Sequence, residues 1–263
     1  MADTSPGTGR ALESSPIPEE RRSRGEMSLL EHLGELRAVL LQSLTAIFVA
    51  AILAWFVSDR AVDLLIKPVL RGPVQDLKFL SPGGAFVLRV KTAVGLGAFL
   101  AAPFVVWRLW SFVVPGLFPK ERRLILPAIA ASLVLFYLGV AFSYFVVLPL
   151  SLAFLLGFGT QHLTPMLTAE QYFEFAIREM LAFGAVFQFP LVVGALTYAE
   201  ILGPDFLVRY WRHGIVLVFI VAAVLTPPDV ASQLLMAGPT LILYLLSIVL
   251  ARFAARARRP RPS

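Results

Sequence analysis

Glu31, His32, Glu35 and Arg37 fall within seven residues of one another near the start of this chain. Glu31 and Glu35 are four apart, so on a helix they share one face. Arg37 is two residues beyond Glu35 and points elsewhere. Carboxylates so placed accept bonds from guanidinium or ammonium groups. His32 brings a metal site to mind, but no further ligands stand at suitable spacing, so no metal is expected. A second acid, Glu121, sits among Lys120, Arg122 and Arg123. Pro119 suits the first turn of a helix and an acid there favours the helix dipole, so Glu121 has a structural reading beside the binding one. Gln188 is an amide in the middle of a long apolar block. It bonds either a neighbouring helix of its own chain or the helix of a partner. Asp229 follows Pro227-Pro228 and reads as the N-cap of the last block. His162 and His213 stand alone. There is no cysteine, G-x-S-x-G, H-E-x-x-H or P-loop, so neither an enzyme nor a cofactor is expected.

The elements that must position these residues are hydrophobic blocks. Of 263 residues 58% are hydrophobic and 15% charged, against about 45–50% and about 25% in soluble domains. Residues 1–26 are rich in Ser, Pro, Gly, Glu and Arg and are expected to be a disordered tail. Ser28 and Glu31 fit a capping box, which predicts a helix start there. Leu29, Leu33, Leu36 and Leu40 continue it at helical spacing. Six apolar blocks follow, at residues 38–57, 92–114, 124–148, 180–198, 214–225 and 234–250. The first matches the ~20 residues that span ~30 Å of hydrocarbon. The fifth reaches only ~18 Å and is read as crossing where the bilayer thins, at a cost of fractions of a kcal/mol per Å. Between the first two blocks, Val62, Leu65, Ile66 and Val69 predict an amphipathic surface helix broken by Pro68. The expected organisation is a tail at 1–26, a six-helix membrane domain at 27–252 and a basic tail at 253–263.

Net charge is +6. The basic residues flank the apolar blocks, which is the pattern of membrane anchoring and not of nucleic-acid binding. With six crossings, 16 Lys and Arg fall on the side that holds both ends and 7 on the other. That bias puts both termini in the cytoplasm. No aspartate, lysine or arginine lies deep in a block, which weighs against the alternative of a small secondary transporter or channel subunit.

Taken in order, several segments resemble the TatC family, the membrane-embedded receptor subunits of the twin-arginine protein translocase. Glu31-His32-Leu33-Gly34-Glu35-Leu36-Arg37 is similar to the family's first helix start. Ala102-Pro103, Trp110-Ser111-Phe112 and Pro115-Gly116-Leu117-Phe118 through Arg123 resemble its first cytoplasmic loop. Phe136-Tyr137, Tyr144-Phe145 and Pro149 resemble its third helix, and Phe187-Gln188-Phe189-Pro190 its fourth. Leu225 to Val230 resembles its last periplasmic turn. The resemblance runs over about residues 27–252. It differs at Gln188, where many members carry glutamate, and at Gly84, where an acid is common.

The resemblance implies an all-α polytopic membrane protein with six transmembrane helices, the last two short, in a glove-shaped scaffold. It implies a prokaryotic plasma membrane, twin-arginine signal peptides as ligands, TatA-like and TatB-like single-span subunits as partners, contact with membrane lipid, and self-association. Glu35 and Glu121 would take the two arginines, with Leu36, Arg37, Phe112 and Leu117 around them. Gln188 would face a partner helix, and Pro68 and Asp229 would serve the scaffold.

Overall fold

The computed structural model describes residues 20–70, 77–117, 125–157, 166–199, 201–225 and 230–258. They form ten α-helices: α1 Glu20–Trp55, α2 Ser58–Leu70, α3 Gly84–Leu117, α4 Ile125–Phe142, α5 Leu148–Leu156, α6 Ala169–Val186, α7 Phe189–Tyr198, α8 Pro204–Arg209, α9 Trp211–Leu225 and α10 Val230–Arg258. A π-helical turn, Ser143–Val147, joins α4 to α5. Among the described residues no strand forms beyond one isolated bridge, Lys78 to Thr168.

Five segments are long and apolar enough to cross a membrane: Leu33–Trp55, Gly84–Val113, Leu126–Leu156, Ala169–Tyr198 and Gln233–Arg252. A sixth apolar helix, Trp211–Val224, is shorter. The six follow the order of the sequence blocks, and the last two are the shortest. At ~1.5 Å per residue the 15 residues of α9 reach ~22 Å. The chain divides into two compact units, Met1–Ala38 and Val39–Ser263.

Three expectations change. The first helix begins at Glu20, so Ser28 lies inside it and is not its cap; Glu and Arg, the residues at 20–22, are good helix formers and carry the helix outward. The apolar stripe of α2 does not lie on lipid. Leu65 and Val69 are buried with Leu88, Leu148, Leu152 and Tyr172, and Val62 and Ile66 pack against the same cluster. Pro68 also does not break α2, which continues to Leu70.

The cost of the prolines is met by tyrosines. A proline has no N–H for the carbonyl four residues back. Pro68 withdraws a donor from Leu64 O, and the Tyr144 hydroxyl donates to that oxygen at 2.7 Å. Pro103 withdraws a donor from Phe99 O, and the Tyr137 hydroxyl donates to it at 2.9 Å. Tyr172 also donates to Leu65 O, the neighbouring carbonyl, which no proline has deprived of its donor. The tyrosines come from α4, the π-turn and α6, so each of these bonds also ties two elements together.

Small residues bring the helices close. A Cβ on Gly97 would stand 2.5 Å from Ala51 N of α1. One on Gly139 would stand 2.5 Å from Phe183 O, and one on Gly184 would meet the Phe136 ring. This is the small-residue packing that lets helix backbones approach in lipid. The start of α6 is pinned to the segment before α3: Ala169 N donates to Lys78 O at 3.0 Å, and Thr168 caps the helix by accepting from Gln171 N.

Candidate functional site

The described sequence candidates fall in four places. Glu35, Leu36 and Arg37 lie on α1 within the unit that ends at Ala38. Glu35 and Arg37 are exposed and Leu36 is half-buried. Phe112 and Leu117 lie in the last turns of α3, with Phe112 half-buried. Glu121 and Asp229 lie outside the described residues. Pro68 is buried in α2.

Gln188 is the centre of a described polar node. The helix that carries it is interrupted: α6 ends at Val186, α7 starts at Phe189, and Pro190 occupies the first turn of α7. A proline there cannot continue the ladder, and helices bend at such points. The break turns the Gln188 side chain onto α4, where Nε2 donates to Ser132 O at 2.8 Å. The Ser132 hydroxyl accepts from Trp110 Nε1 of α3 at 2.6 Å. Ser132 and Trp110 are buried and Gln188 is half-buried. One serine thus joins α3, α4 and the α6–α7 break.

The node separates two apolar cavities. One, of about 380 Å³, lies against Ala185, Val192, Gly214, Leu217, Thr240 and Tyr244. The other, of about 230 Å³, lies against Val106, Trp110, Val113 and Ser132. Gln188 and Val192 border both. A half-buried amide between apolar hollows can hold a helix or an acyl chain in register; it can neither donate nor take up a proton at neutral pH. Among the described residues no cluster of three or more His, Cys, Asp or Glu could hold a metal ion.

Two features escaped the sequence reading. The fourth apolar block starts at Met180, but the helix starts at Ala169, so Glu179 belongs to the span. It is 2% exposed. Aspartate, lysine and arginine are absent from the middle of the blocks, but this glutamate is in the membrane helix. The signal was the run of helix-forming residues before the block. The second feature concerns Gly84. A Cβ built there would collide with Oε1 of Glu170. The Glu170 carboxylate of α6 thus fills the space beside Gly84 at the start of α3.

Residues 31–239 match the family model described as Sec-independent protein translocase protein (TatC). The chain belongs to the TatC family. It is 42% identical over 228 residues to the Sec-independent protein translocase protein TatC of Carboxydothermus hydrogenoformans, covering 86% of this chain and 93% of that one. It is 36% identical over 236 residues to the TatC of Aquifex aeolicus, covering 89% and 98%. The fold matches a crystal structure of the twin-arginine translocase receptor TatC with a TM-score of 0.78 at 36% identity, over 86% of this chain and all of that one. It is therefore an all-α polytopic membrane protein of the TatC kind, a component of a protein translocase.

Proposed function

We propose that this chain is the receptor subunit of a twin-arginine translocase and not an enzyme. It binds the twin-arginine signal peptides of precursor proteins and organises TatA-like and TatB-like single-span subunits. It sits in a prokaryotic plasma membrane with both termini in the cytoplasm. The observation that carries this reading is the match along the whole length of a receptor structure. The exposed Glu35, in the segment shared with the family, supports it.

In this reading Glu35 and Glu121 take the two arginines of the peptide. A planar guanidinium bonds a carboxylate through two parallel N–H groups, which a lysine cannot reproduce. Phe112 and Leu117 shield the pairs from water in this reading, and Leu36 and Arg37 belong to the same peptide-binding set. Gln188 and the hollows beside it meet a partner helix, while its bond to Ser132 holds it in place.

The test is binding of a labelled twin-arginine peptide to the full chain in lipid nanodiscs. A twin-lysine peptide, Glu35→Gln and Glu121→Gln are the comparisons. One shielded pair contributes about 1.5–3 kcal/mol, so each neutral variant weakens binding by about tenfold to a hundredfold. Correct insertion of each variant is checked first. Parent-like binding by both correctly inserted variants removes the peptide site from these residues.

A further inference from the structure

The aromatic side chains of α8 and the start of α9 are turned outward. Phe206, Tyr210 and Trp211 are exposed. Phe206, Tyr210 and His213 follow one another in ring contact, with centroids 4.7 and 5.6 Å apart. Tyrosine and tryptophan gather at the headgroup level of a bilayer. Residues 206–213 therefore mark that level at this end of the bundle.

Cations stand beside them. On α8, the start of α9 and the end of α10 the described charged side chains are Arg209, Arg212 and Arg252, against Asp205, and all four are exposed. Leu207 of α8 and Ala251 of α10 belong to one buried cluster, which brings the neighbouring Arg252 to the side of α8. Among the described residues no salt bridge holds the three arginines. Arg212 Cζ lies 5.8 Å from the centre of the Trp211 ring.

Directly beneath lies the larger of the two hollows, of about 380 Å³ and half-open. It begins where Gly214 meets the Tyr244 ring and runs along α9 past Leu217 to Val221. Seven residues of helix make it about 10 Å long. Its other walls carry Val192 of α7 and Thr240 of α10. The polar side chains on the wall are bonded to backbone carbonyls. Tyr244 donates to Leu207 O, Thr240 to Met236 O and the Gln188 amide to Ser132 O, each at 2.8 Å. What remains is an apolar surface, and such a cavity stays dry. Hydrocarbon is the filling it accepts.

We propose that this hollow is a binding site for an anionic phospholipid. One acyl chain lies between α7, α9 and α10, and the headgroup phosphate stands among Arg209, Arg212 and Arg252. A transmembrane helix would fill the hollow but give the arginines no anion. A soluble phosphate would answer the arginines and leave the hollow empty. A phospholipid does both. The arginines act over a Debye length of about 8 Å, so they favour an anionic headgroup without a fixed ion pair. A partner helix that enters the hollow displaces the acyl chain. The lipid site is a property of the chain by itself and does not rest on the translocase reading.

The experiment uses the full chain in nanodiscs of phosphatidylcholine with a trace of phosphatidylglycerol that carries a photoreactive group in its acyl chain. Sequencing of the crosslinked peptides should place the adducts on Val192, Leu217 and Val221. Val216 and Ile220 of α9 lie outside the hollow and are 57% and 54% exposed. Adducts that fall on those two as often overturn the proposal and leave the hollow to a helix. This arm uses the parent chain, so no variant can be blamed for misfolding. The headgroup is tested with phosphatidylcholine that carries the same photoreactive chain. One arginine near the surface favours an anionic lipid by about fivefold. Capture of phosphatidylglycerol in the hollow should therefore exceed that of phosphatidylcholine by about fivefold or more. Arg209→Gln, Arg212→Gln and Arg252→Gln together should bring the two level. Equal capture of both lipids by the parent, or an excess that the triple variant keeps, overturns the arginine site. Excess inorganic phosphate should leave the adducts unchanged; their loss would assign the arginines to a free anion and overturn the phospholipid.

Discussion

Replacing Tyr137 by phenylalanine should reveal how this helix bundle tolerates Pro103. Phe99 O lies about midway along the Gly84–Val113 span and has lost its helical donor to Pro103. The Tyr137 hydroxyl supplies the replacement at 2.9 Å. Tyr137 is 43% exposed, and in a bilayer that exposure is to lipid, where no water can take over the bond. Measured hydrogen bonds between membrane helices average about 0.6 kcal/mol and reach about 1.7. This one lies at the upper end, because its loss leaves a carbonyl without any donor; Tyr137→Phe is expected to cost about 1–2 kcal/mol. Pro103→Ala restores an N–H four residues from Phe99. In that background Tyr137→Phe should cost only a few tenths of a kcal/mol. The coupling between the two sites is then about 1 kcal/mol, within the range for residues in one network. Equilibrium unfolding of the four variants in bicelles measures it. Equal costs of Tyr137→Phe with and without Pro103 refute the reasoning.

Three further outcomes are expected. Gln188→Leu keeps volume and loses the bond to Ser132 O, so chain stability and partner assembly should each fall by about 0.6 kcal/mol, near threefold. Stability that falls while crosslinking to partners is unchanged would confine Gln188 to the scaffold. Gly139→Ala drives a methyl into Phe183 O and the Phe187 ring, and thermal unfolding should show a loss of about 1–3 kcal/mol; a stable variant would mean that α4 and α6 separate freely. For topology, a lone cysteine at Phe206, which is 49% exposed, should be protected from an impermeant thiol reagent in intact cells, and one at Leu80, 69% exposed, should be labelled. Leu207 is 7% exposed and unsuitable as a probe. The reverse pattern would invert the membrane orientation.

The sequence by itself determined the class of molecule and the order of its spans, because the bilayer imposes one strong rule. Helices of sufficient apolar length must cross, so the blocks could be counted without any contact information, five of them long enough and a sixth shorter. It also located Gln188 and the segment around Glu35, since a polar group in or beside an apolar run stands out. It did not determine what those groups touch. Gln188 turns onto Ser132 only because the chain breaks between Val186 and Phe189. The repair of Pro68 by Tyr144 and of Pro103 by Tyr137 joins residues far apart in the chain, and no local pattern announces it. Glu170 occupies the space left by Gly84 for the same reason. Glu179 was hidden by counting hydrophobicity instead of helix length: a few charged residues precede the apolar run, yet the helix that carries them is buried on one face. Burial is a property of the face a residue presents, and only the packing of α3, α4 and α6 decides which face that is.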